Sequence, residues 1–151
     1  MTESGLIREI LAAKGGNVWS VSPDDTVFDA IQMMADKNVG ALLVMKGEKL
    51  LGILSERDYT RKVALLGRSS KETHVREIIT SRVICATPDH SVEDCMRLMT
   101  EHRVRHLPVK EGERIVGVIS IGDLVNRIIS EQSAAINQLE TYITGYPTLN
   151  V

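Results

Sequence analysis

Hydrophobic and polar positions follow two periods along this chain, and the switch between them occurs in the same order twice. Val27, Ala30, Ile31 and Met34 recur at i, i+3, i+4 and i+7, the spacing of one helix face. Thr26 stands just before this run and Asp29 three residues after Thr26, so a capped helix should open there. Two apolar runs follow, Ala41–Met45 and Leu50–Leu54, separated by Lys46-Gly47-Glu48. That pattern predicts a hairpin turning at the glycine. The second run is almost wholly apolar, as in a strand covered on both faces. A helix should open after Ser55, run to Leu66 and stop at Gly67. With the short extended stretch Val18–Val21 in front, the order is βαββα.

The order returns 65 residues later without a gap. Val83–Ala86 is the extended stretch and Thr87-Pro88-Asp89 the turn. Ser91 and Asp94 cap a helix whose face is Val92, Cys95, Met96 and Met99. Leu107–Val109 and Ile115–Ile119 flank the turn Glu111-Gly112-Glu113, and a helix follows Ser120. The segment Val104–Val109 reads as one strand, with Arg103 and Arg105 on the side opposite Val104. Pro23 matches Pro88, Met34 matches Met99, Gly52 matches Gly117, Ser55 matches Ser120 and Asp58 matches Asp123. Two copies of a unit too small to bury a core alone predict an α/β (α+β) fold with pseudo-twofold symmetry. Residues 1–70 and 71–133 make the two domains, and 134–151 a helical tail.

A smaller repeat leads into each unit. Ile7-Arg8-Glu9-Ile10 resembles Val75-Arg76-Glu77-Ile78, 68 positions on, so the first copy carries three extra residues near Ala13–Asn17. Gly15-Gly16 makes that insertion a loop. The stretch Gly67–Thr73 is polar and reads as the linker between copies. Beyond Leu124 an apolar stripe continues through Val125, Ile128, Ile129, Ile136, Leu139 and Ile143 to Gly145-Tyr146-Pro147. Such a stripe packs on a partner or on its own domain.

Composition narrows the function. Only five of 151 residues are aromatic and the net charge is −2, which gives no general attraction to nucleic acid or to an anionic membrane. No apolar run reaches the length of a membrane helix, and the opening residues carry no signal-peptide pattern, so a cytoplasmic protein is expected. Cys85 and Cys95 form no CxxC and read as small core residues. His102 and His106 have the i, i+4 spacing of a helical metal pair, but a strand through Val104–Val109 breaks it, so no metal is expected. No nucleophile–base constellation points to catalysis.

The sharpest local signal is Gly52-Ile53-Leu54-Ser55-Glu56-Arg57-Asp58, echoed by Gly117-Val118-Ile119-Ser120-Ile121-Gly122-Asp123. A strand ends, a serine opens a helix, and an aspartate follows three residues later. One reading is a capping box. The other is a nucleotide grip, since a helix N-terminus suits phosphate and a carboxylate can hold two ribose hydroxyls. The second signal is Arg103-Val104-Arg105-His106, matched in the first copy by Asn38-Val39-Gly40-Ala41. The second copy supplies basic groups and the first supplies room, so two related but unequal clefts are expected.

The βαββα repeat, the Gly-x-x-Ser-x-x-Asp ends, the Val-Arg-Glu-Ile lead-in and the Val-Arg-His-Leu-Pro-Val strand together resemble the cystathionine β-synthase (CBS) domain family. A tandem pair of such domains is called a Bateman module. The resemblance spans about residues 6–130. It implies a ligand-sensing module, not an enzyme, with two clefts for adenosine compounds: AMP, ADP, ATP, NAD or S-adenosylmethionine. It assigns ribose to Asp58 and Asp123, and phosphate or ribose to Ser55 and Ser120. Arg57, Arg105 and His106, just ahead of Pro108 in the strand, would meet phosphate. Backbone at Gly40, Ala41 and Leu42, with Val18, Ser20, Val83 and Cys85, would flank the base. It also implies a homodimer and a regulated partner protein, with no catalytic cofactor, nucleic acid or membrane. The alternative is a ligand-free module for dimerisation or protein interaction.

Overall fold

The computed structural model describes residues 5–144. The first repeat contains β1 (Ser20–Val21), α2 (Val27–Lys37), β2 (Ala41–Lys46), β3 (Lys49–Ser55) and α3 (Glu56–Tyr59). It is preceded by α1 (Ile7–Lys14), and α3 widens into a π-helical turn, Thr60–Ala64. The second repeat contains α4 (Val92–His102), β4 (His106–Glu111), β5 (Arg114–Ser120) and α5 (Ile121–Thr144), with a short 3-10 turn, Val75–Glu77, ahead of it. The fold is mixed α+β. Gly145-Tyr146-Pro147 and the end of the tail lie outside the described residues.

Both hairpins form in matched register. Leu42 faces Leu54 and Leu107 faces Ile119, and each ladder slips after the matched valine, Val44 or Val109. Gly47 and Gly112 take φ of 62° and 64° at the two turns, where a side chain would be strained. The extended lead strands are shorter than the pattern predicts. β1 has two residues and pairs parallel with β2, while its counterpart is reduced to a single bridge, Ala86 to Val109.

The side-chain caps read at α2 and α4 both form. Thr26 accepts from the Asp29 N–H, and Ser91 with Asp94 forms a reciprocal box. α2 and α4 both end on a left-handed residue, Asn38 and Arg103. The expectation that Arg103 lies on a strand is therefore corrected. Val104 N–H bonds Met99 O to close the helix, so the chain must turn through Arg103 before β4 can start at His106.

Two aliphatic cores form, and each is closed by the lead-in of the other half. Ile7 and Ile10 pack with Val92, Met99, Leu107 and Ile119, whereas Val75 and Ile78 pack with Val27, Met34, Leu42 and Leu54. The hydrogen bonds repeat the exchange: Ile7 N–H to His90 O and Arg8 N–H to Pro88 O, against Val75 N–H to Asp25 O and Arg76 N–H to Pro23 O. Arg8 pairs with Asp89 and Arg76 with Asp24. The pseudo-twofold axis thus relates halves that are each completed by the other.

The glycines in the second strands admit these crossings. A Cβ at Gly52 would stand 2.7 Å from Thr80 O, and one at Gly117 would stand 2.5 Å from Leu11 Cδ2. Thr80 then pairs with Ile53 and covers the edge of β3. This places the stretch after the Val75–Glu77 turn beside the end of β3, where Ser55 and Asp58 lie.

Candidate functional site: a basic cleft at the end of β3

At Ser55 the chain leaves β3 and α3 begins. Ser55 Oγ accepts from the Asp58 N–H at 3.1 Å, and Asp58 Oδ2 accepts from the Ser55 N–H at 3.0 Å and from the Ser55 hydroxyl at 3.1 Å. Gly40 O accepts from the Glu56 N–H. The capping box is therefore real. It engages Asp58 Oδ2, while Oδ1 lies 3.4 Å from Lys62 Nζ.

A cleft of about 710 Å³ opens over this helix start. Gly40, Ile53, Ser55, Arg57, Asp58, Arg61 and Lys62 form one wall. Thr80, Arg82, Val83 and Ile84 come from the stretch that follows the Val75–Glu77 turn, and Arg103, Val104, Arg105 and His106 from the end of α4 and the start of β4. Six basic side chains and two carboxylates, Glu56 and Asp58, line it. Such a concentration in a chain of net charge −2 is an anion-attracting feature. Val83, Ile84, Ile53 and Val104 supply an apolar part.

Of the residues to which the resemblance gives a ligand role, the structure brings seven together: Gly40, Ser55, Arg57, Asp58, Val83, Arg105 and His106. The others lie elsewhere. Leu42 and Pro108 are buried in their strands, and Ala41 pairs with Ser55 across the hairpin. Ser20 is exposed on β1 beside Leu43, Val18 is half-buried ahead of it, and Cys85 is half-buried ahead of Ala86. Arg61, Lys62, Arg82, Thr80 and Glu56 were not anticipated. For Arg61 and Lys62 the signal would have been two basic residues one turn beyond Asp58.

His106 stands between the two Ser–Asp ends. A Cβ at Gly40 would lie 3.4 Å from its Nε2, so the imidazole borders the backbone of the first repeat. Burial first, then the charges of Lys14 and Arg105, push the His106 pKa below the usual histidine value, against the pull of Asp123. The neutral imidazole is the resting form at neutral pH.

The matched end, Ser120 and Asp123, has the same box. Asp123 Oδ2 accepts from Ser120 N–H at 2.9 Å, and Asp123 N–H donates to Ser120 Oγ at 3.2 Å. Here Lys14 Nζ also lies 2.6 Å from Oδ2. Burial raises the Asp123 pKa, but the Lys14 ammonium and the Ser120 N–H outweigh it and hold the carboxyl below its usual value.

Neither thiol is poised for nucleophilic work. Burial pushes Cys95 up to about 11, and it raises Cys85 too. Among the described residues no group of three His, Cys, Asp or Glu side chains could hold a metal, and no helix is long and apolar enough to cross a membrane. His102 ends α4 and His106 opens β4, so the pair is not on one helix.

The decisive comparison is with a family model. The CBS domain model matches residues 7–65 and again 75–130. The chain belongs to the CBS domain family. A mitochondrial CBS domain-containing protein of Arabidopsis thaliana, CBSX3, is 42% identical over 95% of this chain and 74% of its own length. The crystal structure of a protein with CBS domains from Burkholderia ambifaria MC40-6 superposes with a TM-score of 0.82 at 50% identity, covering 84% of this chain and 96% of that one. The CBS domain pair of protein MJ0100, solved in complex with 5′-methylthioadenosine and S-adenosyl-L-methionine, shares the fold with a TM-score of 0.72 at 22% identity, over 84% and 97% of the two chains. The tandem CBS architecture and its pseudo-symmetry are therefore established for this protein.

Proposed function

We propose that this CBS pair is a non-enzymatic sensor that binds an anionic adenosine nucleotide, AMP, ADP, ATP or NAD, in the cleft at Asp58 and passes its occupancy to a partner protein. The observation that carries this reading is the charge of the cleft: six basic side chains face two carboxylates around a helix start. Asp58 Oδ1 would take ribose hydroxyls, and Arg57, Arg105 and their neighbours the phosphates. Val83, Ile84 and Ile53 would flank the base. The MJ0100 pair was solved in complex with two adenosine compounds that carry no phosphate, one of them cationic at sulfur. The same adenosine grip with this chain's arginines favours phosphorylated relatives.

A thermal-shift panel of adenosine, AMP, ADP, ATP, NAD and S-adenosylmethionine tests this. A ligand at 100 times its dissociation constant adds about 2.7 kcal/mol, on the order of 5–10 °C for a chain of this size. ADP and ATP should give the largest shifts and S-adenosylmethionine the smallest. No shift from any of them would favour the ligand-free dimerisation module, which the capping role of Ser55–Asp58 already suits. For assembly, we take a homodimer through α5, whose Val125, Ile129, Ile136 and Leu139 are exposed. Light scattering on Ile129→Glu should then read a monomer. The reading needs only a compartment that contains nucleotides. That suits the cytoplasm expected from the sequence and equally the mitochondrial setting named for the plant relative.

A further inference from the structure

The two Ser–Asp ends match, but what stands on each carboxylate does not. At Asp58 the nearest cation, Lys62, comes from the same helix one turn on, at 3.4 Å. At Asp123 the cation comes from the far end of the chain. Lys14, the last residue of α1, reaches across 109 positions to donate to Oδ2 at 2.6 Å. Its ammonium also donates to Val118 O at 2.9 Å. In the first repeat the matched carbonyl, Ile53 O, is satisfied by a backbone N–H, that of Thr80, at 3.2 Å. A long, flexible side chain therefore occupies a place that fixed main chain holds in the other half.

The sequence around Lys14 fits that placement. At the 68-residue offset of the lead-ins Lys14 matches Arg82, which lines the cleft at Asp58. Gly15 follows with φ of 92°, a conformation strained for any side chain, and ends α1. Gly16 lies against the Val116 carbonyl of β5. The positions that match Arg57, Arg61, Arg103 and Arg105 are Gly122, Asn126, Asn38 and Gly40, all uncharged. Arg127, matched to Lys62, is engaged with Glu9 and Glu131. The charge that meets Asp123 is thus supplied by Lys14, whose side chain keeps 39% of its exposure and remains within reach of a ligand.

We infer that Lys14 is a built-in competitor at the Asp123 end. Its ammonium stands on Asp123 Oδ2, beside the Oδ1 that a ribose would use, and neutralises the carboxylate, so a neutral adenosine compound binds there poorly, and an anionic nucleotide enters by drawing Lys14 from Asp123 onto its phosphate. The inference rests on the reading that the Ser–Asp ends grip ribose. It also makes the Asp123 end selective for phosphorylated ligands through a single cation, where six line the cleft at Asp58.

Isothermal titration of the full chain with adenosine and with ADP tests it, using wild type, Lys14→Met, Lys14→Arg, and Lys14→Met combined with Asp123→Asn. Lys14→Met should tighten the second equivalent of adenosine about 10-fold, the weight of one charge-assisted hydrogen bond. Lys14→Arg should keep the wild-type behaviour, and adding Asp123→Asn should remove the gain. ADP should gain less than adenosine from Lys14→Met, because it loses the cation that receives its phosphate. A normal first equivalent with no change in the second overturns the competitor and leaves the Asp58 reading standing. Absence of binding by every variant overturns the ribose reading, and the competitor with it.

Discussion

Arg105→Gln should weaken ADP binding about tenfold and leave adenosine nearly unchanged. Arg105 is an exposed wall residue of the cleft at Asp58, and its backbone is held independently of its side chain, since Arg105 O accepts from the Ile121 N–H at 2.8 Å. Removing the guanidinium therefore removes charge without unseating β4. Two unit charges about 4 Å apart attract by about 1 kcal/mol in water and about 4 kcal/mol near a protein surface. Desolvation and side-chain ordering take part of this back, and hydrogen bonds to charged groups are worth about 1.5–3 kcal/mol net. Exposure puts Arg105 at the low end, near 1.5 kcal/mol, or about tenfold. Titration calorimetry at about 50 mM and about 500 mM salt reads it, because the effect must shrink as screening shortens. Equal losses for adenosine and ADP would mean that Arg105 acts through the fold. An unchanged ADP affinity would refute the phosphate role.

Asp58→Asn should weaken adenosine and ADP alike by about 1.5–3 kcal/mol, measured by the same titration. It should cost little stability, because the amide oxygen can still accept from Ser55. Gly52→Ala should destabilise the fold by about 1–3 kcal/mol in urea unfolding, since its Cβ meets the Thr80 carbonyl. Gly117→Ala should cost less, since its Cβ meets only the end of the Leu11 side chain. His106 is held below its usual pKa in the empty protein, first by burial. A bound phosphate raises that pKa, so binding takes up a proton and ADP affinity should rise as pH falls from about 7.5 to about 6. His106→Asn should flatten that profile. In folding, the depressed His106 contributes stability that is full above the ordinary histidine value and is lost as pH falls through the lowered one.

The local pattern carried the elements because the forces that made them are local. The capping pairs Ser55–Asp58, Ser91–Asp94 and Ser120–Asp123 sit three residues apart, and Gly47 and Gly112 take the backbone turn their position demands. The 65-residue repeat carried the symmetry and the inequality of the two ends. Three things depended on packing instead. Arg103 turned left-handed because α4 needed a cap, which the strand-like alternation of Arg103-Val104-Arg105 concealed. The helix after Ser55 widened at Thr60–Ala64, which no residue spacing announced. The lead-ins crossed to the opposite cores, and with them Lys14 reached Asp123 and the stretch after Ile78 brought Thr80 and Arg82 to Asp58's cleft. The 68-residue offset already placed Lys14 and Arg82 at matched positions, so the pair was visible in the sequence. Which carboxylate each would serve was not.

A crystal structure of the full chain grown with ADP examines the cleft at Asp58 directly. The nucleotide should lie in the cleft between the repeats, with its ribose hydroxyls on Asp58 and its phosphates among Arg57, Arg105 and the Ser55 helix start. ADP bound only at Asp123, on an outer surface, or nowhere at saturating concentration would contradict that placement.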